Sequence, residues 1–242
     1  MRLLVTRPEP DAALFKTRLE AMGHHVSLAP MIRIELDSRA IPLEGVQALI
    51  ATSRNALRAL AGCPSFGAAV ALPIFTVGPG TLEYAHQLGF VRVHAGPGTA
   101  RELAGLIASQ TKPNDGPLVH LAGDRRAFDL NGALEKMGFR VRLEIVYHSV
   151  AAEALEPGIA DAIRGGRLDG VIVMSPRSAD VYKTLVEQAG LGQAASQLHC
   201  FCLSAGVAKR LGTLAQNNVS VAAAPNSEEM LALVARVASN SG

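Results

Sequence analysis

The chain has 242 residues, 49% of them hydrophobic and 18% charged, which is enough apolar material for one large or two small globular domains. Aromatics make up 4%, tryptophan is absent and the formal net charge is +2. This argues against a base-stacking nucleic-acid binder and tolerates an acidic small molecule. Three cysteines (Cys63, Cys200, Cys202) are too few, and odd in number, for a disulfide framework. No apolar stretch reaches membrane-spanning length, and the N-terminal run stops at Arg7-Pro8, too short for a signal peptide, so a cytoplasmic protein is expected.

Leu3–Thr6 reads as a short apolar strand, and helical spacing follows through Ala12, Phe15, Leu19 and Met22, with Gly23 in a position to end the helix. Val26–Ile34 reads as a second strand, and the polar, proline-bearing 35–44 as a connector. Val46–Ala51 is a strand leading through Thr52-Ser53 into a helix from about Asn55. Ile74–Val77 and Val91–Ala95 are further strands, ending in Gly78-Pro79-Gly80-Thr81 and Gly96-Pro97-Gly98; Thr99 with Glu102 makes a capping box. Lys112–Gly116 is a loop, after which Leu118–Leu121 starts the pattern again. Later, the buried run before Met174 ends in Ser175-Pro176, where Ser175 suits an N-cap and Pro176 the first helical position.

The chain repeats itself. A shift of 115 residues lays Leu19-Glu-Ala-Met-Gly23 on Leu134-Glu-Lys-Met-Gly138. Further on, Thr52-Ser-Arg-Asn-Ala56 falls on Ser175-Pro-Arg-Ser-Ala179, and Phe75–Gly80 on Phe201–Gly206. Ala95-Gly-Pro97 corresponds to Ala223-Ala-Pro225, each before a capped helix (Thr99; Asn226 with Glu229). So long a period means domain duplication rather than a solenoid. Each half alternates five strands with helices, which predicts an α/β fold of two flavodoxin-like parallel-sheet domains. The pattern leaves open whether the halves are contiguous or trade their first β-α-β units. In the traded case 1–35 and 150–242 form one domain and 40–147 the other, with 36–39 and 148–149 as linkers.

Ligands of open α/β sheets bind beyond the carboxyl ends of the strands. The loops there carry Thr6-Arg7-Pro8, Thr52-Ser53-Arg54, Gly78–Thr81, Gly123-Asp124-Arg125-Arg126, Ser175–Ser178 and Ser204-Ala205-Gly206. Small and hydroxylated residues there let backbone N–H groups approach an anion, with Arg7, Arg54, Arg125, Arg126 and Arg177 adding positive charge, although any one arginine can equally be a solvated surface charge. Dinucleotide and P-loop glycine fingerprints and a G-x-S-x-G elbow are missing, and His199-Cys200-x-Cys202 lacks structural-zinc spacing. Tyr147 ends a strand, where its phenol could donate a proton, or could simply pack as a half-buried strand residue.

In order, Val5-Thr-Arg-Pro8, Ala51-Thr-Ser53, Val77-Gly78 with Thr81, Gly89-Phe90, Gly123, Val146-Tyr147, Met174-Ser-Pro-Arg-Ser178 and Ala224-Pro225 followed by Leu231 resemble the uroporphyrinogen-III synthase family over nearly the whole chain. The resemblance implies two flavodoxin-like domains in the traded arrangement, joined by a two-stranded hinge. It implies closure of the linear tetrapyrrole hydroxymethylbilane to uroporphyrinogen III, with inversion of the last pyrrole through a spiro intermediate and loss of water, using no cofactor or metal. Tyr147 would be the proton donor. Arg7, Thr52, Ser53, Gly78, Thr81, Gly123, Asp124, Ser175, Pro176, Ser178, Ser204 and Gly206 would hold the substrate's carboxylates. A departure lies in Ser204-Ala-Gly-Val207, where the family often has a threonine. The chain is expected to act as a monomer without nucleic acid or membrane. The alternatives are a non-catalytic two-domain module for an anionic ligand and a nucleotide-dependent enzyme, against which the absent glycine fingerprints count.

Overall fold

A computed structural model of the chain describes residues 1–126 and 128–239. The chain begins β1 (Arg2–Val5), α1 (Asp11–Ala21), β2 (His25–Leu28), β3 (Ile32–Leu36), β4 (Ala48–Ala51), α2 (Arg54–Ala61) and α3 (Phe66–Val70). It continues β5 (Ile74–Thr76), α4 (Pro79–Gln87), β6 (Val93–Ala95), α5 (Ala100–Gln110), β7 (Leu118–Gly123), α6 (Leu130–Glu135) and β8 (Val141–Ala151). The remainder is α7 (Pro157–Arg164), β9 (Gly170–Val173), α8 (Pro176–Gln188), α9 (Gly192–Ala195), β10 (His199–Cys202), α10 (Ala205–Leu211), β11 (Val219–Val221) and α11 (Ser227–Ser239). These elements divide into two units, Met1–Arg33 with Val150–Gly242, and Ile34–Ser149. The chain crosses from one unit to the other twice, inside β3 and inside β8.

The first unit is built on a five-stranded parallel sheet in the order β11-β10-β9-β1-β2. Gly170–Val173 is buried along its whole length, as expected for a strand covered on both faces. One face packs Val171, Val173 and Cys200 against Ala179, Tyr182 and Leu185 of α8. The other packs Leu3, Val5, Ile172 and Phe201 against Phe15 and Leu19 of α1 and Met230 and Val234 of α11. β1 lies between β2 and β9, with Leu3 opposite both Val26 and Gly170. Gly170 has no room for a side chain, because a Cβ there would lie 2.8 Å from both the His199 carbonyl and the Phe201 ring.

The second unit carries the order β3-β8-β7-β4-β5-β6. Neighbours from β8 to β6 run parallel, with Ile50 of β4 opposite both Phe75 of β5 and His120 of β7. Along β3 the partners run in opposite order: Asp37 N–H donates to the Val146 carbonyl at 2.8 Å, and Ala152 N–H to the Met31 carbonyl at 3.0 Å. β3 is therefore an antiparallel edge beside β8. Leu49, Ala51, Val119, Leu121 and Val146 face α2 and α4, while Ile50, Phe75 and Leu118 face α5 and α6.

The single strand expected over Val26–Ile34 is two strands. β2 follows β1 through Ala29 and Met31, whose N–H groups donate to the carbonyls of Val5 and Thr6 at 2.9 and 3.0 Å; β3 then joins the other sheet. The break falls at Pro30, which has no N–H to give to a ladder. One apolar run thus serves two sheets, a change of partner that spacing does not reveal. His148 and Ser149, expected in a connector, lie within β8.

Candidate functional site

Because the strands of each unit, β3 aside, run parallel, their carboxyl ends gather along one edge of that unit's sheet. In the second unit this edge carries the loops after β4, β5, β6 and β7, and Tyr147 near the end of β8. The pairing of β7 with β8 is regular from Leu118↔Val141 to Ala122↔Ile145 and then jumps to Gly123↔Tyr147. Val146 is the extra residue of a β-bulge. Such a bulge reverses the alternation of the residues beyond it. Val146 stays buried among the side chains under α2, and Tyr147, which regular pleating would send to the opposite face, packs against the same cluster. Its ring lies over Gly123: a Cβ there would come within 2.5 Å of ring carbons Cε2 and Cζ and 2.8 Å of the phenolic oxygen. Here the absence of a side chain is a steric requirement. The ring is half-buried, and among the described residues its hydroxyl makes no hydrogen bond, which leaves it available to an incoming group.

Asp124 follows. Its N–H donates to the Tyr147 carbonyl at 3.2 Å, and its Oδ1 accepts from Ser149 N–H at 3.1 Å. Ser53, extended at φ −151° and ψ 148°, caps α2 by accepting from Asn55 N–H. Thr52 beside it does not cap, so the cap sits one residue later than the overlay of Thr52 on Ser175 implies. Gly78 precedes α4 with Pro79 at the first turn, and Thr81 N–H donates to the Gly78 carbonyl at 3.1 Å. Gly78 approaches Gly98 closely enough that a Cβ on it would sit 3.8 Å from the Gly98 Cα, bringing the loops after β5 and β6 together.

In the first unit the same edge carries Thr6, Arg7, Ser175 and Ser204. Thr6 is fully buried and donates from Oγ1 to the Ile172 carbonyl at 2.8 Å, locking β1 to β9. Arg7 is largely buried; its guanidinium meets Asp11 at 3.2 Å, Ser227 Oγ at 3.2 Å and the Met174 sulfur at 3.7 Å, and stacks over Phe15. Ser175 caps α8, accepting from Ser178 N–H at 3.0 Å and donating to Ser178 Oγ at 2.8 Å, with Pro176 at the first turn. Ser178 is 2% exposed, so its hydroxyl serves the cap and not the solvent-facing rim. Ser204 caps α10 through Val207 N–H at 3.4 Å, and Gly206 is exposed beside it.

The chain thus brings Thr52, Ser53, Gly78, Thr81, Gly123, Asp124 and Tyr147 to one edge of the second unit, and Arg7, Ser175, Pro176, Ser178, Ser204 and Gly206 to one edge of the first. Helix starts with free N–H groups are suited to anions. Two cationic features escape sequence reasoning: Arg101 lies over the Phe128 ring at 4.9 Å, and Arg58 over the Tyr84 ring at 5.5 Å, with Asn55 Oδ1 accepting from Arg58 at 2.6 Å. The Arg58–Tyr84 contact joins two helices and the Arg101–Phe128 contact a helix and a loop, so no local spacing announces them.

Among the described residues, no cluster of three or more His, Cys, Asp or Glu side chains is placed to hold a metal ion, and no helix is long and apolar enough to cross a membrane. Cys200 and Cys202 are buried in β10, and burial pushes their thiols up to about 11 and about 12. They are packing residues rather than nucleophiles.

The fold defines an open α/β protein in two units, each with capped helix starts along one edge of its sheet. The sequence profile described as HEM4, uroporphyrinogen-III synthase HemD, matches residues 13–232, and the chain belongs to that family. It is an enzyme of this type, a cyclising lyase that converts hydroxymethylbilane to uroporphyrinogen III in tetrapyrrole biosynthesis. Among solved structures it is similar to uroporphyrinogen-III synthetase from Helicobacter pylori 26695, at 15% identity over 98% of this chain and 100% of that one, with a TM-score of 0.65. It is also similar to a mutant uroporphyrinogen III synthase from the extremely thermophilic bacterium Thermus thermophilus, at 18% identity over 99% of both chains, with a TM-score of 0.59. At these identities the likeness concerns the fold. No curated protein sequence matches the chain significantly.

Proposed function

We propose that Tyr147 is the proton donor of this cyclisation and that the carboxyl-end edges of the two units hold the substrate's carboxylates. The hydroxymethyl oxygen leaves as water once it accepts a proton, and the phenol of Tyr147 supplies it. Departure leaves an azafulvene-like cation on the first pyrrole. The substituted carbon of the last pyrrole attacks it, giving the spiro intermediate; its opening and reclosure at the unsubstituted carbon invert that ring, and the proton lost from that carbon balances the one the phenol gave. The protein's task is to orient the last pyrrole for that attack and to stabilise developing charge, rather than to form a covalent link.

The observation that carries the reading is the bulge at Val146, which sets the Tyr147 ring over Gly123 with its hydroxyl unengaged. Backbone N–H groups at Thr52-Ser53, in the Gly78–Thr81 loop, at Gly123, at Ser175 and at Ser204–Gly206 receive carboxylates, with Pro176 setting the turn after Ser175. The Arg7 guanidinium, held by Asp11, supports the loop that carries it and adds little free charge. The chain works as a cytoplasmic monomer, without nucleic acid, cofactor or metal. Its three buried free thiols suit a reducing compartment.

The test is incubation with freshly prepared hydroxymethylbilane and separation of the isomers. Wild-type protein yields the inverted isomer. Tyr147→Phe lowers kcat by about a hundredfold, the scale of a lost general acid, with KM little changed. An unchanged kcat makes Tyr147 a packing residue.

A further inference from the structure

β7 ends at Gly123, so on the β7 side no regular rung reaches β8 beyond Tyr147, while β3 continues along its other edge. Asp124 takes over there, bonding to the strand on both sides of His148. Its N–H donates to the Tyr147 carbonyl at 3.2 Å, its Oδ1 accepts from Ser149 N–H at 3.1 Å, and its Oδ2 lies 3.9 Å from His148 Nδ1. On the opposite edge of β8, Asp37 N–H holds the bulged Val146 carbonyl at 2.8 Å. The peptide that carries the Tyr147 ring is thus gripped from two elements, and the side chain of Asp124 supplies the last contact on the β7 side.

We infer that Asp124 is a positioning residue for Tyr147 and not a contact for the substrate. The inference rests on the reading of Tyr147 as proton donor. A carboxylate offers acceptors and repels like charge, so it is a poor partner for a polycarboxylate. Its Oδ1 is already committed to a backbone donor. By replacing the missing rung on the β7 side, it fixes that edge of β8 past the bulge, where a small backbone shift would swing the phenol away from the oxygen it must protonate. Misplacement of this kind costs rate rather than affinity.

The chain has three tyrosines and no tryptophan, which makes a direct readout available. Full-length protein labelled with 3-fluorotyrosine gives fluorine resonances for Tyr84, Tyr147 and Tyr182, and Tyr147→Phe identifies its own by loss. Asp124→Ala is expected to shift or broaden the Tyr147 resonance in the free protein while leaving the other two in place. It should lower kcat by about tenfold to a hundredfold with KM within about twofold. Asp124→Asn keeps an oxygen for Ser149 N–H and recovers most of the lost rate. An unmoved resonance with raised KM would make Asp124 a substrate contact and overturn the inference. So would an Asn variant as slow as the Ala variant, since the carboxylate's charge and not its hydrogen bond would then matter. A Tyr147→Phe enzyme with full activity would sink the donor assignment instead; the fluorine shift, read without substrate, still decides whether Asp124 holds the ring.

Discussion

Gly123 is the residue at which one methyl group would be felt most, because the Tyr147 ring occupies the space its Cβ would take, at 2.5 Å. Gly123→Ala is expected to destabilise the fold by about 1–3 kcal/mol through overpacking, and to lower turnover by displacing the ring. Denaturant midpoints and steady-state rates check both; a variant as stable and as fast as wild type would mean that the ring does not rest there. Tyr147 could be singled out from sequence because it ends an apolar strand, and Gly123 because small residues recur at strand ends. Their contact was not legible, since it depends on the jump in pairing at Val146, and a bulge leaves no mark in hydrophobic alternation this short. Nor was the burial of Ser178 or the ion pair of Arg7 with Asp11. Both residues read as rim donors, and both have their polar atoms engaged within the fold.

Helix starts are the elements on which each edge depends, and several are fixed by one side chain. Ser53 caps α2, Ser175 caps α8, and Thr99 caps α5, accepting from Glu102 N–H at 3.3 Å. Ser53→Ala and Ser175→Ala should each lower stability by about 1 kcal/mol. Each should also weaken substrate binding, read as a higher KM with kcat nearly unchanged. A loss of stability with no change in KM would leave the caps purely structural. These junctions were legible because Ser, Thr, Asn and Pro have strong local preferences there; Asn226, for instance, accepts from Glu229 N–H at 2.9 Å at the start of α11. The division of one run into β2 and β3 was not, because it depends on which sheet each piece joins. The matching of Thr52 with Ser175 located the correct loops but missed the capping atom by one residue.

At the scale of the whole molecule, buried histidines make stability depend on pH. His24, His120 and His199 are all held below their ordinary value of 6.5, chiefly by burial; the terminal ammonium adds to the shift at His24 and Arg126 at His120. Below that pH the unfolded chain takes up protons that the folded chain refuses, so stability is full above about 6.5 and falls as the pH drops toward the folded values. Asp169 adds a second loss at lower pH, because its hydrogen bond to Arg2 holds it below its usual value and that stabilisation fades as it protonates. Thermal melts between about pH 8 and about pH 5 should show Tm declining, and His120→Gln should flatten the slope. A Tm that rises on acidification would refute the assignment.

The position of β1 between β2 and β9 carries a consequence for the order of events during synthesis. Residues 32–151 are contiguous and hold every strand of one sheet, which can form as soon as they have emerged from the ribosome. The first strand and helix emerge earlier, yet must wait for β9 to be made before β1 gains its second neighbour. In a process that otherwise favours the N-terminal segment, the middle of this chain is free to fold first, and β1 spends the interval with β2 on one edge and its other edge unpaired. Until β9 is made, the newborn chain therefore carries one open, apolar strand edge on β1.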